Sequence, residues 1–216
     1  MLVKDQMTHN PICGRPDMPV AEAAELMSQN NFRHLPIVDE ETMLVGLVTQ
    51  PAVTRAISAS GGRLGQHEVH YILTKIKVRD IMVTEVITIS PDTPIEEAAR
   101  VLADKKISCL PVVQDGQPIG IITDNDLFAT MVNLLGARRQ GARVTVLQPD
   151  RAGEVARISK AVADKGGYLS VFVTYPTAEP ATWASVLKVT NLPEETLVET
   201  LNALPDIRVQ DVREIA

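Results

Sequence analysis

The chain states one pattern twice. VKDQM at 3–7 returns as VRDIM at 78–82, PDMPVAEAAELM at 16–27 as PDTPIEEAARVL at 91–102, and LPIVD at 35–39 as LPVVQ at 110–114, each at an offset of 75. GLVTQPAV at 46–53 returns as GIITDNDL at 120–127 at an offset of 74, so one residue is lost in the intervening turn. One offset held across a whole unit marks a duplicated supersecondary module. The two copies differ where chemistry is concentrated. The second phrase carries Asp124 and Asp126, and the first has Gln50 and Ala52 at those places.

Each copy has the same local logic. Val20, Ala23, Ala24 and Met27 fall at i, i+3, i+4 and i+7, one apolar stripe of a helix, and Ile95, Ala98, Ala99 and Leu102 repeat it. Thr93, Pro94 and Glu96 read as a start signal for the second of these helices, with Thr93 as cap. LPIV and VGLV, like LPVV and IGII, are short buried strands joined as hairpins, and a second helix follows each, at 50–58 and 124–136. The expected unit is strand, helix, strand, strand, helix. SASGGRLGQ at 58–66 separates the copies, followed by a helix-like EVHYILTKI. Met7 and Met82, at matched positions, read as core packing.

The D-x-M element, the LPVV-type strand and the G-h-h-T-x-x-D phrase, in that order and twice over 1–136, resemble a tandem pair of CBS domains. From residue 142 the pattern changes. RVTVLQ alternates as a strand, Val155, Ile158, Ser159 and Val162 form a helical stripe ending at Gly166 and Gly167, and LSVFVTY and WASVLKVT follow as strands. A helix with Leu197, Val198, Leu201 and Leu204 and a final alternating IRVQDVREI complete a ferredoxin-like order. This part resembles an ACT domain through QPDRAGEVARI, with Ala152 in place of that family's proline. The expected fold is mixed α/β, of α+β class, with CBS repeats at 1–60 and 78–137, an inter-repeat segment at 61–77 and an ACT-like domain at 138–216. Bacterial proteins of the acetoin-utilisation B type share this order.

The resemblance implies a regulatory binding module for AMP, ADP, ATP or a related adenosyl compound. In the family motif Asp126 accepts both hydroxyls of a ribose diol, a geometry suited to a carboxylate. Thr123 and the helix start after it offer donors to phosphate. Strands around Ile87, Thr88, Ser108, Leu110 and Pro111 would hold adenine, and Arg33 and His34 of the first copy would reach the phosphates. An alternative stays open at each point. Thr123 to Asp126 is also a capping box that needs no ligand, and Arg33 and His34 read equally as solvated surface. With Ala52 for the ribose carboxylate, the first copy should bind at least ~10-fold more weakly. Asp150 and Gly153 mark a possible effector loop in the ACT-like part, or simply a helix cap and a close-packed turn.

Several functions find no residues. There is no nucleophile elbow, no Walker loop and no metal-ligand spacing, so neither catalysis nor a cofactor is expected. His67 and His70 are three apart but lack companions, and Cys13 and Cys109 are too few for a disulfide framework. Net charge of −6 and pI of about 5.3 argue against nucleic acid as partner. No apolar run has secretory or membrane-spanning length, so a cytoplasmic protein is expected, with no membrane partner. A homodimer and a regulated enzyme partner complete the expectation. The rival of a different class is a structural subunit that dimerises and scaffolds a partner without sensing anything.

Overall fold

The computed structural model describes residues 1–59 and 66–215. The chain divides into two compact units, Met1–Phe128 and Ala129–Ala216, so the division falls inside the last helix of the second copy. SASGGRLGQ lies largely outside the described residues, as do the side chains of His67 and His70.

In the first unit a 3₁₀ turn (Val3–Asp5) leads to β1 (Thr8–His9), α1 (Val20–Gln29), the strands β2 (His34–Val38) and β3 (Leu44–Thr49), and the helices α2 (Gln50–Ala59) and α3 (Gln66–Lys75). The second copy follows with a 3₁₀ turn (Val78–Asp80), α4 (Ile95–Lys105), β4 (Cys109–Gln114), β5 (Gln117–Thr123) and α5 (Asp124–Leu134). The apolar stripes do what their spacing predicts: Val20, Ala23 and Met27 are buried on α1, and Ile95, Ala98 and Leu102 on α4. One start signal is corrected. Pro94 itself occupies the cap position of α4, its carbonyl accepting from the amides of Glu97 and Ala98, and no side chain caps the helix. Thr93 is used otherwise, its carbonyl accepting from Val3 N at 2.9 Å.

That bond belongs to an exchange that the linear repeat does not reveal. β1 pairs with β5 of the other copy, Thr8 opposite Ile121 and His9 opposite Gly120. Val83, at the matching place in the second copy, bridges Leu47 of β3. The leading turns follow suit. Val3 and Lys4 donate to Thr93 and Pro91, while Val78 and Arg79 donate to Met18 and Pro16. Val3 and Met7 therefore pack with Ile95, Leu102, Leu110 and Ile122, and Val78 with Val20, Met27, Leu35 and Val48. Each copy lends its first residues to its twin's core.

The exchange explains the repeated motif. Asp5 and Asp80 accept from the amides of Leu2 and Lys77 at 2.8 and 3.0 Å, which closes each 3₁₀ turn. The methionine two residues later lies against the glycine of the opposite hairpin. A Cβ on Gly46 would fall 2.5 Å from Met82 Sδ, and one on Gly120 would fall 2.2 Å from Met7 Sδ. The hairpins themselves meet through Leu47, Cys109 and Ile121.

The second unit contains β6 (Gly141–Pro149), α6 (Glu154–Asp164), β7 (Tyr168–Pro176), β8 (Thr182–Thr190), α7 (Glu194–Asn202) and β9 (Arg208–Ile215). Its antiparallel sheet runs β7-β8-β6-β9, the order of a split β-α-β fold. Ile158 and Val162 of α6 and Leu197 and Leu201 of α7 bury against Val144, Val146, Leu187 and Val189. The cap reading of Asp150 is corrected. Gly153 holds the cap position of α6 at φ +93, no side chain caps the helix, and open space lies where a Cβ would be. Its backbone conformation, and not close packing, favours glycine there. Glu154 beside it is buried between Arg151 and Arg157.

Candidate functional site

Because each leading segment joins the hairpin of the other copy, the T-D-N-D phrase faces residues of the first copy. β5 ends at Thr123 and α5 begins at Asp124, so Thr123, Asn125 and Asp126 stand at a helix N-terminus. Opposite them come Thr8, Asn10, Pro11 and Ile12 after β1, and residues 30–34 leading into β2. Together these enclose a cavity of about 490 Å³. A related cavity of about 460 Å³ lies at the matching place. Val83, Glu85, Val86 and Ile87 replace 8–12 there, 106–109 replace 31–34, and Leu47 and Thr49 supply the strand end.

In the first cavity the carboxylate of Asp126 is held in place. Its Oδ2 accepts from Thr123 N at 2.8 Å and from Thr123 Oγ1 at 2.7 Å, and Asp126 N lies 3.4 Å from Thr123 Oγ1. This is the reciprocal capping box, built into the cavity wall. Only half of it survives in the first copy, where Ala52 N lies 3.4 Å from Thr49 Oγ1 and Ala52 is buried. Arg33 is half-exposed and sits 3.8 Å from Asp124. His34 is buried, and its Nε2 shares a 2.7 Å hydrogen bond with Ser108 Oγ. Burial holds the His34 imidazole below its ordinary pKa; Arg33 pushes the same way and Asp124 partly opposes both.

Arg33, His34, Thr123 and Asp126 thus share one cavity. Thr88, Ser108, Leu110 and Pro111 do not join them. Ser108 lines the second cavity and meets the first through His34. Leu110 is fully buried beneath α4, and Pro111 gives its carbonyl to Ile89 N. The reason is the exchange: the wall facing Asp126 comes from 8–12, not from the corresponding 83–87. That wall was visible in the sequence as the stretch lying 75 residues before 83–87. Asp124, which reads from sequence as an ordinary first-turn acid, stands in the second cavity. Burial, reinforced by Asp124, drives the Cys109 thiol up to about 12, away from the thiolate form. Among the described residues no three His, Cys, Asp or Glu side chains are grouped to hold a metal. No described helix is long and apolar enough to cross a membrane.

Residues 3–59 and 78–133 match the CBS domain model, and the chain belongs to the CBS-domain family. Among curated relatives, the CBS domain-containing protein YhcV of Bacillus subtilis is 31% identical over 143 residues, 66% of this chain and 92% of that protein. L-aspartate semialdehyde sulfurtransferase of Methanocaldococcus jannaschii is 32% identical over 127 residues, 58% of this chain but only 22% of the enzyme's length. Similar solved structures include the acetoin utilization protein AcuB of Vibrio cholerae (30% identity, TM-score 0.54, 64% of this chain and 95% of that one). The CBS domain pair of protein MJ0100 in complex with 5′-methylthioadenosine and S-adenosyl-L-methionine is 31% identical, with a TM-score of 0.53 over 61% of this chain and 99% of that one. CBSX2 in complex with AMP is 30% identical, with a TM-score of 0.53 over 62% of this chain and 97% of that one.

Proposed function

We propose that this protein is a regulatory sensor whose CBS pair binds an adenine nucleotide or another adenosyl ligand, chiefly in the cavity of Asp126. The observation that carries the reading is the convergence of Asp126, Thr123, Arg33 and the α5 N-terminus on one cavity of nucleotide size. Asp126 takes the ribose diol, while Arg33 and the first amides of α5 take phosphate. The backbone at 10–12 and the side chains of Ile12, Phe32 and Ile121 take the base. The solved relatives with AMP, and with 5′-methylthioadenosine and S-adenosyl-L-methionine, support the ligand class.

The second unit has the strand and helix order of an ACT domain, and we assign it that role, with the loop at Asp150 and Gly153 as its effector loop. The sensor passes its state to this unit or to a partner enzyme, and acts as a homodimer. The exposed side chains of Phe128, Met131 and Leu134 on α5 supply an apolar face for pairing. Titration of AMP, ADP and ATP into the full chain by calorimetry tests the reading, with a melting shift as second readout. One observation favours the scaffold alternative: the Thr123–Asp126 box is satisfied internally. No heat and no melting shift with any of the three nucleotides would select that alternative.

A further inference from the structure

The two cavities differ in charge and are tied by two links, each with one end in either cavity. Arg33, His34 and Asp126 line the first, where guanidinium and carboxylate offset each other; Asp124 and Ser108 line the second. His34 meets Ser108 at 2.7 Å and Arg33 approaches Asp124 to 3.8 Å. Asp124 is anchored to its place, its amide donating to Ser108 O at 3.1 Å and its Oδ1 accepting from Asn125 N at 2.9 Å. It cannot follow Arg33 far. Neutral Gln50 occupies the duplicated position, so the sequence supplies this charge on one side only. The second cavity otherwise carries Glu85 and Lys106 as its charged lining.

Resting on the nucleotide reading, we propose that the first cavity takes the anionic nucleotide and the second a positively charged adenosyl compound, a sulfonium. The two bind with positive coupling through Arg33 and Asp124. A phosphate in the first cavity competes with Asp124 for the Arg33 guanidinium. As Arg33 turns to the phosphate, the Asp124 carboxylate loses its neutralising partner while staying at the second cavity. Glu85 and Asp124 then outweigh Lys106, favouring a cation there and repelling a second phosphate. Linkage makes the effect reciprocal: a cation beside Asp124 frees Arg33 for the nucleotide. Both partners are substantially exposed, at 54% and 40%, so solvent keeps the coupling small, about two- to fivefold.

The test is calorimetry on the full chain, with AMP as the anionic probe and S-adenosylmethionine as the cationic one. Saturating AMP is expected to lower the S-adenosylmethionine Kd about two- to fivefold in the wild type. The ratio should fall to one in Asp124→Asn, and also in Asp124→Ser should Asp124→Asn fail to fold. Glu85→Gln should weaken the sulfonium but keep the ratio, because it leaves the Arg33 link intact. An unchanged Kd, competition between the probes, or coupling that survives in Asp124→Asn would overturn the proposal. If AMP binds and only these effects are missing, the coupling alone is lost. If AMP gives neither heat nor a melting shift, the nucleotide reading falls with it.

Discussion

Met7 lies directly against Gly120, in the hairpin of the opposite copy, so closely that a Cβ on Gly120 would fall 2.2 Å from the methionine sulfur. The contact makes the exchange of leading segments measurable. Gly120→Val should destabilise the first unit by about 1–3 kcal/mol through overpacking. Adding Met7→Ala should recover part of that loss, since the shortened side chain vacates the space. Denaturant melts of the single and double variants would show non-additivity for residues in contact. Strictly additive losses would mean that the two segments do not meet.

His34 gives the first unit a pH dependence with a defined sign. Its pKa in the folded protein lies below the ordinary 6.5, through burial first and Arg33 second, against Asp124. Between that lowered value and 6.5 the unfolded chain binds more protons than the folded one. Stability is therefore complete above 6.5 and declines as pH falls through the window, by at most about 1.4 kcal/mol per pH unit. His34→Gln, which keeps a polar group facing Ser108, should flatten the profile of melting temperature between pH 7 and 5. An identical slope in wild type and variant would exclude His34 as the cause.

Much of this was legible in the sequence, for physical reasons. Helix stripes and hairpins are short-range patterns, and the duplication let each copy corroborate the other. The exchange was not legible, because β1 has two residues and its pattern is the same whether it pairs within its own copy or across. That uncertainty carried into the site. Asp126 and Thr123 stand out by their motif, and Arg33 and His34 by family resemblance, but the wall at 8–12 depends on which hairpin the leading segment joins. Asp124 was hidden by the generality of acids in a first helical turn, where its charge serves the dipole whatever else it does. Thr93 misled because proline can be the cap itself, leaving the threonine for a tertiary bond.

The stretch 135–140, between α5 and β6, should report on coupling between the CBS pair and the second unit. Arg138 and Arg139 are exposed, while Gly136 is buried, its carbonyl accepting from the buried Lys188 of β8. Trypsin should cleave at Arg138 or Arg139 at a rate that AMP changes, because a regulator needs two states with different ligand affinity. Lys188→Met removes the donor that anchors Gly136 and should accelerate that cleavage. Equal digestion rates with and without saturating AMP would leave the halves uncoupled.

Assembly has its own measurement. Phe128, Met131 and Leu134 are each more than half exposed along one helix, an uncommon arrangement for a surface facing only water. Light scattering at micromolar concentration should give twice the 23.5 kDa chain mass, and Phe128→Glu with Met131→Glu should return it to one chain. A single-chain mass for the wild type would end the homodimer assignment.

One carboxylate decides whether the first cavity is a nucleotide site. Asp126 should contribute to nucleotide binding far more than to folding, since its bonds to Thr123 cap a helix while its side chain lines the cavity proposed for the ribose. Hydrogen bonds to a charged acceptor are worth about 1.5–3 kcal/mol each, and about 1.4 kcal/mol is tenfold in affinity. Calorimetry with AMP should find one strong site per chain in the wild type, and none in Asp126→Ala. The variant's denaturation curve should shift by only about 1 kcal/mol. If Asp126→Ala binds AMP as tightly as wild type, Asp126 is a helix cap and nothing more, and the account is contradicted.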